Sequence, residues 1–296
     1  MTETRDAEVR AGALYVVATP IGNLGDLSPR AQRVLAQVDR IAAEDTRTSG
    51  ALLSHFGIGT PLTALHEHNE DRIAEALIRN VADGASLAVI SDAGTPLISD
   101  PGYALVRAAR AHGVPVYAVP GCCAAIAALS VSGLAPDSFV FAGFLPAKGP
   151  ARRTRLTELA REPRTVILYE SSHRIGDCVD DLVQVLGAER RVCLARELSK
   201  RFEESITLPA AELQSWLQAD ANRVRGEFVL ILEGAPALDD EREVEAERVL
   251  RLLLAELPPS RAARLAAEIT GAARKPLYAR ALALAGEGLT PESHAD

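Results

Sequence analysis

The chain is short of several residue types, and each shortage narrows what it can be. Of 32 basic residues only Lys148, Lys200 and Lys275 are lysine, and 296 residues include one Met, one Trp and four Cys. Cys122, Cys123, Cys178 and Cys193 form no C-x-x-C pair and no His-spaced zinc pattern. They are expected to be reduced, mostly buried thiols of a cytoplasmic protein, with no metal. No uninterrupted apolar run reaches ~18 residues, so no membrane span is expected. The opening Met1-Thr2-Glu3-Thr4-Arg5-Asp6 lacks the apolar core of a signal peptide. Neither G-x-G-x-x-G nor G-x-x-x-x-G-K-[ST] occurs, which removes the usual sequence support for dinucleotide or ATP-phosphate binding. A net charge of −8 argues mildly against tight sequence-independent nucleic-acid binding, although a local basic patch can oppose an average. The Ala- and Arg-heavy usage resembles that of a GC-rich genome, so raw Arg counts carry little functional weight.

What is present is an ordinary globular balance, 48% apolar and 24% charged, on a length that suits about two domains of ~100–200 residues. Two loops stand out. Ser91 to Gly102 (SDAGTPLISDPG) follows the apolar run Leu87–Ile90 and precedes a helix-like segment, 103–111. Thr19 to Asp26 (TPIGNLGD) follows the strand-like 14–18. Gly-, Pro- and polar-rich turns at strand ends let backbone approach a ligand, and open α/β sheets bind ligands beyond the carboxyl ends of their strands.

The strand-like segments 14–18, 40–43, 87–90 and 115–119 alternate with helical ones. The first helix is opened by Ser28 and Pro29; another runs from about Asn69 to Ala82. This predicts βαβ units and a largely parallel sheet. Pro120-Gly121 then opens an Ala-rich helix to about Ser132, and 133–137 forms a hinge. Beyond it, strands at 138–142, 165–169, 191–195, 203–207 and 227–232 with helices at 151–161, 173–186 and 210–219 predict a second α/β domain with a mixed sheet. From Asp239 the periodicity is purely helical: 241–256, 259–270 and 275–284, punctuated by Pro258-Pro259 and Gly271. The expected domains are therefore 12–134, 135–235 and a helical module at 239–286.

Several charged groups admit two readings. Glu44-Asp45-Thr46-Arg47 lies at a strand end and is either part of a site or a helix N-terminus with acids on its positive end. His66-Glu67-His68 resembles a metal fragment, but a polar loop with Asn69 as helix cap accounts for it better. Glu170, His173 and Arg174 follow a strand with no structural reason in the sequence. The run 195–204 fits a solvated surface as well as a site. Lys148 with Arg152, Arg153 and Arg155 forms the densest basic patch, a candidate for phosphate contact. The terminal helices fit a packing extension or a helix-turn-helix module.

Taken in order, VATPIGNL at 17–24, AEDTR at 43–47, HEHNE at 66–70, Ser91 to Gly102, GFLP at 143–146, Tyr169-Glu170-Ser171 with His173-Arg174, and Arg196-Glu197-Leu198 resemble the ribosomal-RNA branch of the tetrapyrrole methylase superfamily. The resemblance spans about residues 12–233, and the terminal helices are similar to that branch's helix-turn-helix extension. It implies two α/β domains with S-adenosyl-L-methionine in the cleft between them, a homodimer, and 2′-O-methylation of a decoding-region cytidine in 16S rRNA. The partner it implies is 16S rRNA or the small ribosomal subunit.

By position, Ala93, Gly94, Thr95 and Ile98 inherit cofactor binding, with Asp92 orienting the loop. So do Pro20, Cys123, Ala124, Tyr169 and Glu227. The superfamily's Gly-Asp-Pro is here Gly94-Thr95-Pro96. Cys122-Cys123 replaces Pro-Ser, Ser172 replaces Pro, and Arg225 replaces Lys. Because a protonated ribose hydroxyl is a poor nucleophile, Asp45 or Glu170 is expected as the base, and Lys148 or Arg174 as the cation steadying the alkoxide or a phosphate. Two rivals remain open: a precorrin-type small-molecule methylase, and a non-catalytic RNA-binding assembly factor.

Overall fold

The computed structural model describes residues 9–235 and 239–287. The chain divides into two compact units, the first ending at Gly234. The first unit opens with β1 (Leu14–Val17), α1 (Pro29–Gln37), β2 (Arg40–Ala43), α2 (Thr46–His55) and β3 (Leu62–Ala64). It continues with α3 (Glu70–Ala82), β4 (Leu87–Ile90), α4 (Tyr103–Ala111), β5 (Val116–Val119) and α5 (Ala124–Val131). These strands form one sheet in the order β3-β2-β4-β1-β5, every pair parallel. Parallel strands covered on both faces are uniformly apolar, and all four residues of β4 are buried. The Ser28 hydroxyl caps α1 by accepting from the Ala31 amide at 3.1 Å.

Two elements of this sheet were not foreseen from sequence. α2 reads TRTSGALLSH, where Gly, Ser and Thr depress helix propensity and only Ser49 and Leu53 are buried. β3 has three residues on the sheet edge, too few to show a period.

The second half contributes β6 (Phe139–Phe144), α6 (Gly149–Leu159), β7 (Thr165–Ser171) and α7 (Ile175–Leu186), then β8 (Arg191–Arg196), β9 (Glu204–Pro209), α8 (Ala210–Gln218) and β10 (Glu227–Leu232). Its order is β6-β7-β10-β8-β9; β6 and β7 are parallel and the other pairs antiparallel, so this sheet is mixed as expected. One face packs Val166, Leu168, Leu194 and Leu230 against α6, α7 and α8. The other face, carrying Ile167, Ala195, Val229 and Ile231, receives Ala125, Ala128 and Leu129 of α5. Helix α5 follows the last strand of the first sheet yet packs on the second, and thereby brings the strand ends of one sheet to the face of the other.

The second unit holds α9 (Asp239–Leu254), α10 (Pro259–Thr270) and α11 (Arg274–Glu287). Ala246, Leu250, Ala262, Ala263, Ala266, Leu277 and Ala281 form its core, a mostly alanine seam that lets the helices approach closely. Glu247 accepts from Arg251 at 2.6 Å on its own helix and from Arg280 on α11 at 2.8 Å.

Candidate active site

Three loops at the carboxyl end of the parallel sheet are bonded to one another. Thr19 and Gly94 pair as an antiparallel bridge: the Thr19 amide donates to the Gly94 carbonyl at 2.9 Å and the Gly94 amide returns a bond at 3.1 Å. The Thr19 hydroxyl donates to the Ser91 carbonyl at 3.2 Å, and the Thr95 hydroxyl donates to the Cys122 carbonyl at 2.8 Å. The two Gly/Pro loops singled out in the sequence are therefore one structure, joined to the loop after β5. Gly94 has φ +81, and a Cβ there would sit 3.3 Å from Ile21 and 3.6 Å from the Cys122 carbonyl. The left-handed backbone, more than the space, is what favours glycine here.

A cavity of about 340 Å³ opens between these loops and the second sheet. Ala93, Gly94, Thr95 and Ile98 line one side; Cys123 and Ala124 line the start of α5; Tyr169 and Glu227 line the opposite side. Eight of the ten residues expected to bind cofactor thus share one wall system. The other two, Pro20 and Asp92, line an adjoining cavity of about 480 Å³ that shares Ile21, Ala93, Lys200 and Glu227 with the first. The Tyr169 ring meets Phe141 edge-on at 5.0 Å and Phe144 at 5.6 Å between centroids, which builds an aromatic wall. Its hydroxyl accepts from the Ala125 amide at 3.2 Å, and burial pushes the phenol up to about 12. Cys122 contributes its carbonyl, so cysteine in place of proline there leaves the contact to Thr95 intact.

The expected catalytic residues behave differently from one another. Asp45 is the N-cap of α2, the structural one of its two readings. It accepts from the Arg47 amide at 2.8 Å and from the Arg47 guanidinium at 2.7 and 3.1 Å. Those hydrogen bonds hold its carboxyl down to about 2, which leaves it a weak base, and it lines neither cavity. Successive strand residues face opposite sides. Glu170 accordingly points with Val166 and Leu168 toward α7, away from Tyr169. There it is 3% exposed and bound to Arg174 at 2.6 Å and to the Ser171 amide at 2.7 Å. Its other oxygen is buried without a hydrogen-bond partner. Glu170 and Arg174, two separate candidates in the sequence, are one ion pair. Lys148 is exposed at the N-cap of α6 and makes no capping bond.

The basic patch needs correction. Arg152 is 4% exposed and donates to Asp181 at 2.6 Å; Arg153 donates to the other oxygen at 3.0 Å, and Arg155 pairs with Glu158 at 2.6 Å. Of the four basic residues, Arg152 alone is spent inside the fold, because helical spacing turns it inward onto α7; Arg153 is half-exposed beside it, and the Arg155–Glu158 pair lies on the surface. His66 and His68 bind no common partner. Asn69 stands at the N-cap position of α3 but makes no side-chain bond to that helix; its side-chain oxygen instead accepts from the His66 amide at 2.9 Å, which ties the loop together, and the described residues hold no cluster suited to a metal.

Sequence reasoning missed Lys200, which sits inside a mixed charge run. Its Nζ lies 2.9 Å from Glu197 and 2.5 Å from Glu227, and it is the cation that lines both cavities. Gly226 (φ +97) precedes Glu227, and a Cβ there would run into the Glu197 carboxylate. Ser199 donates to Asp26, at the end of the first loop, and Glu197 (φ +50) and Ser199 (φ +65) both hold left-handed backbone. Asp100, inside the opening loop, was also overlooked as a site residue. It lines the cavity, and burial pushes its carboxyl up to about 6.

A cavity of this size, with an aromatic wall, glycine-lined backbone and carboxylates, suits an adenosyl group bearing cationic sulfur and ammonium groups. The fold and site together define a two-sheet methylase architecture. Residues 13–214 match the model of the Tetrapyrrole (Corrin/Porphyrin) Methylases, and residues 240–285 match that of the RsmI C-terminal HTH domain. Among solved structures, uroporphyrin-III C-methyltransferase from Thermus thermophilus, complexed with S-adenyl homocysteine, shares the fold at TM-score 0.51 and 20% identity, over 75% of this chain and 97% of that one. Diphthine synthase does so at TM-score 0.56 and 14% identity, over 75% and 89%.

The chain belongs to the tetrapyrrole methylase family and, within it, to the ribosomal RNA small subunit methyltransferase I family. It is 58% identical over 267 residues to the protein of that name from Xylella fastidiosa, covering 90% of this chain and 98% of the relative. The Pseudomonas aeruginosa protein of the same name is 56% identical over 94% and 99%. The one from Escherichia coli O157:H7 is 52% identical over 95% and 99%.

Proposed function

We propose that this protein transfers a methyl group from S-adenosyl-L-methionine to the ribose 2′-hydroxyl of a decoding-region cytidine in 16S rRNA. The observation that carries this is full-length similarity, terminal helices included, to proteins named as ribosomal RNA small subunit methyltransferases. The cofactor supplies a methyl group on a positively charged sulfur. Ala93, Gly94, Thr95 and Ile98 hold it on one side, and Cys123, Ala124, Tyr169 and Glu227 on the other. Pro20 and Asp92 shape the adjoining space. Held between these loops and the second sheet, the cofactor would present its methyl group to an acceptor oxygen, and orientation of that kind supplies much of a transfer rate.

Glu170 and Arg174 brace this arrangement: their ion pair ties the end of β7 to the start of α7, directly beside the Tyr169 wall. Lys148, exposed at the head of α6, is the residue of its patch suited to an rRNA phosphate. Residues 12–134 and 135–235 act as the two halves of the catalytic body, and 239–286 as an RNA-contacting module. The protein works in the cytoplasm as a homodimer. Exposed Ile126 and Val131 on the otherwise apolar helix α5 support self-association, and no helix among the described residues is long and apolar enough to cross a membrane.

The test is incubation with methyl-labelled S-adenosyl-L-methionine and, separately, bare 16S rRNA, assembled small subunits and a precorrin. Label on a ribose 2′-oxygen of the RNA or the particle is expected. Label on precorrin alone would overturn the proposal in favour of a small-molecule methylase, and cofactor-independent RNA binding without transfer would favour an assembly factor.

A further inference from the structure

Three acidic residues border the main cavity, Glu170, Glu227 and Asp100, and of these Glu170 turns its carboxylate away toward α7. Glu170 is held by Arg174 and Glu227 by Lys200. Asp100 has no cationic partner among the described residues. It lies on the loop between β4 and α4 and lines the same cavity as Thr95, Ser99 and Tyr169, whose phenol feels its charge. The backbone that presents it is strained. Leu97 (φ +72) and Ser99 (φ +68) both adopt left-handed conformations that non-glycine residues rarely accept, at a cost on the order of 1 kcal/mol each. The loop is pinned just beyond, where the Gly102 amide donates to Glu70 of α3 at 2.7 Å. Strain maintained by surrounding structure, next to a cavity, is a mark of a functional position.

We propose that Asp100 is the catalytic base that accepts the proton of the methyl-acceptor hydroxyl. This rests on reading the protein as an O-methyltransferase. In the step, the hydroxyl O–H bond breaks and its proton passes to an Asp100 carboxylate oxygen. The acceptor oxygen uses the freed electron pair to bond the methyl carbon. The methyl–sulfur bond breaks with its electron pair left on sulfur, which becomes neutral. Asp100 then returns the proton to water.

The surroundings suit that role. Burial raises the Asp100 carboxyl most; the negative charges of Glu44, at the end of β2, and Asp92, on its own loop, raise it further, against a hydrogen bond from Ser91. From β7 the facing titratable group is Tyr169, and Lys200 is the cation in the same cavity. A base near neutrality is ionised at working pH yet strong enough to take a proton, which Asp45 at about 2 is not.

The experiment compares the full-length wild type with Asp100→Asn and Asp100→Glu. Calorimetry measures affinity for S-adenosylhomocysteine. Carbon-13 NMR follows the carboxyl titration. Single-turnover transfer to small subunits is measured at saturating cofactor from pH 5 to 9. Expected are wild-type rates that rise with pH through about 6, the value at which the Asp100 carboxyl also titrates. Asp100→Asn should bind S-adenosylhomocysteine within twofold of wild type, transfer roughly 10²–10⁴-fold more slowly, and lose the acid limb. Asp100→Glu should restore part of the rate. A tenfold loss of S-adenosylhomocysteine affinity in Asp100→Asn with unchanged saturated transfer would overturn the proposal and make Asp100 a cofactor anchor. A rate within threefold of wild type would overturn it outright. Absence of transfer by the wild type to any RNA acceptor overturns the O-methyltransferase reading and this inference together, whereas transfer that Asp100→Asn retains overturns this inference alone.

Discussion

Replacing Asp181 by Ala decides whether the Arg-rich helix α6 serves the fold or the RNA. Arg152 is 4% exposed, and its Nε donates to Asp181 at 2.6 Å. Its one other bond reaches the Ala147 carbonyl at a long 3.4 Å. Asp181 is itself 6% exposed. Removing it leaves a buried guanidinium with no anion, and breaking a buried pair by deleting one partner costs about 3–5 kcal/mol. Against a total stability of about 5–15 kcal/mol this is a large fraction, and it corresponds to a drop in Tm on the order of 10 °C. The assay is urea and thermal unfolding of wild type, Asp181→Ala, and a double variant Arg152→Met with Asp181→Leu. The double variant should lie close to wild type, because apolar replacement of both partners removes the desolvation cost as well.

The pH dependence has a definite sign. Arg152 and Arg153 hold the Asp181 carboxyl below its ordinary 3.8, against burial that raises it. Its stabilisation is complete above about pH 4 and is lost as pH falls through the lower folded value. The gap between wild type and Asp181→Ala should therefore narrow in acid. An Asp181→Ala protein within 1 kcal/mol of wild type that binds rRNA more tightly would refute the assignment, because the arginines would then be an RNA clamp that Asp181 merely neutralises.

Other outcomes follow from the site. Thr95→Val, which deletes the 2.8 Å bond to the Cys122 carbonyl, should weaken S-adenosylhomocysteine binding by about 1 kcal/mol, roughly fivefold, while Thr95→Ser should not; calorimetry distinguishes them. Gly226→Ala should cost at least tenfold in the same affinity, since a side chain at φ +97 is strained and its Cβ displaces Glu197 from Lys200. Equal affinity would show that the Lys200 network does not shape the cavity. Cys178, whose thiol burial and the neighbouring Glu170 charge push up to about 12, should resist iodoacetamide at pH 7.5 until the protein unfolds. The more accessible Cys122 should react first, as peptide mapping would report.

Much of the fold was legible because it rests on local periodicity. Alternating apolar runs and amphipathic segments marked nine of the ten strands among the described residues, and Ser28-Pro29 marked the start of α1. The loops 19–26 and 91–102 announced themselves through Gly and Pro, whose backbone freedom and rigidity are properties of the residue alone. The three-residue β3 and the Gly- and Ser-containing α2 were not legible, because neighbours stabilise them rather than their own propensity. For the site, composition could nominate charged residues but not say which way they face. One residue of strand phase separates Tyr169, in the cavity wall, from Glu170, turned toward α7. One turn of helix buries Arg152 on Asp181 and leaves Lys148 exposed. Asp100 looked like one more polar loop residue. Its significance depends on burial and on Glu44 and Asp92 brought beside it from other segments. Residue type and period are carried by the chain itself; partners, desolvation and the field at each carboxylate exist only once distant segments meet.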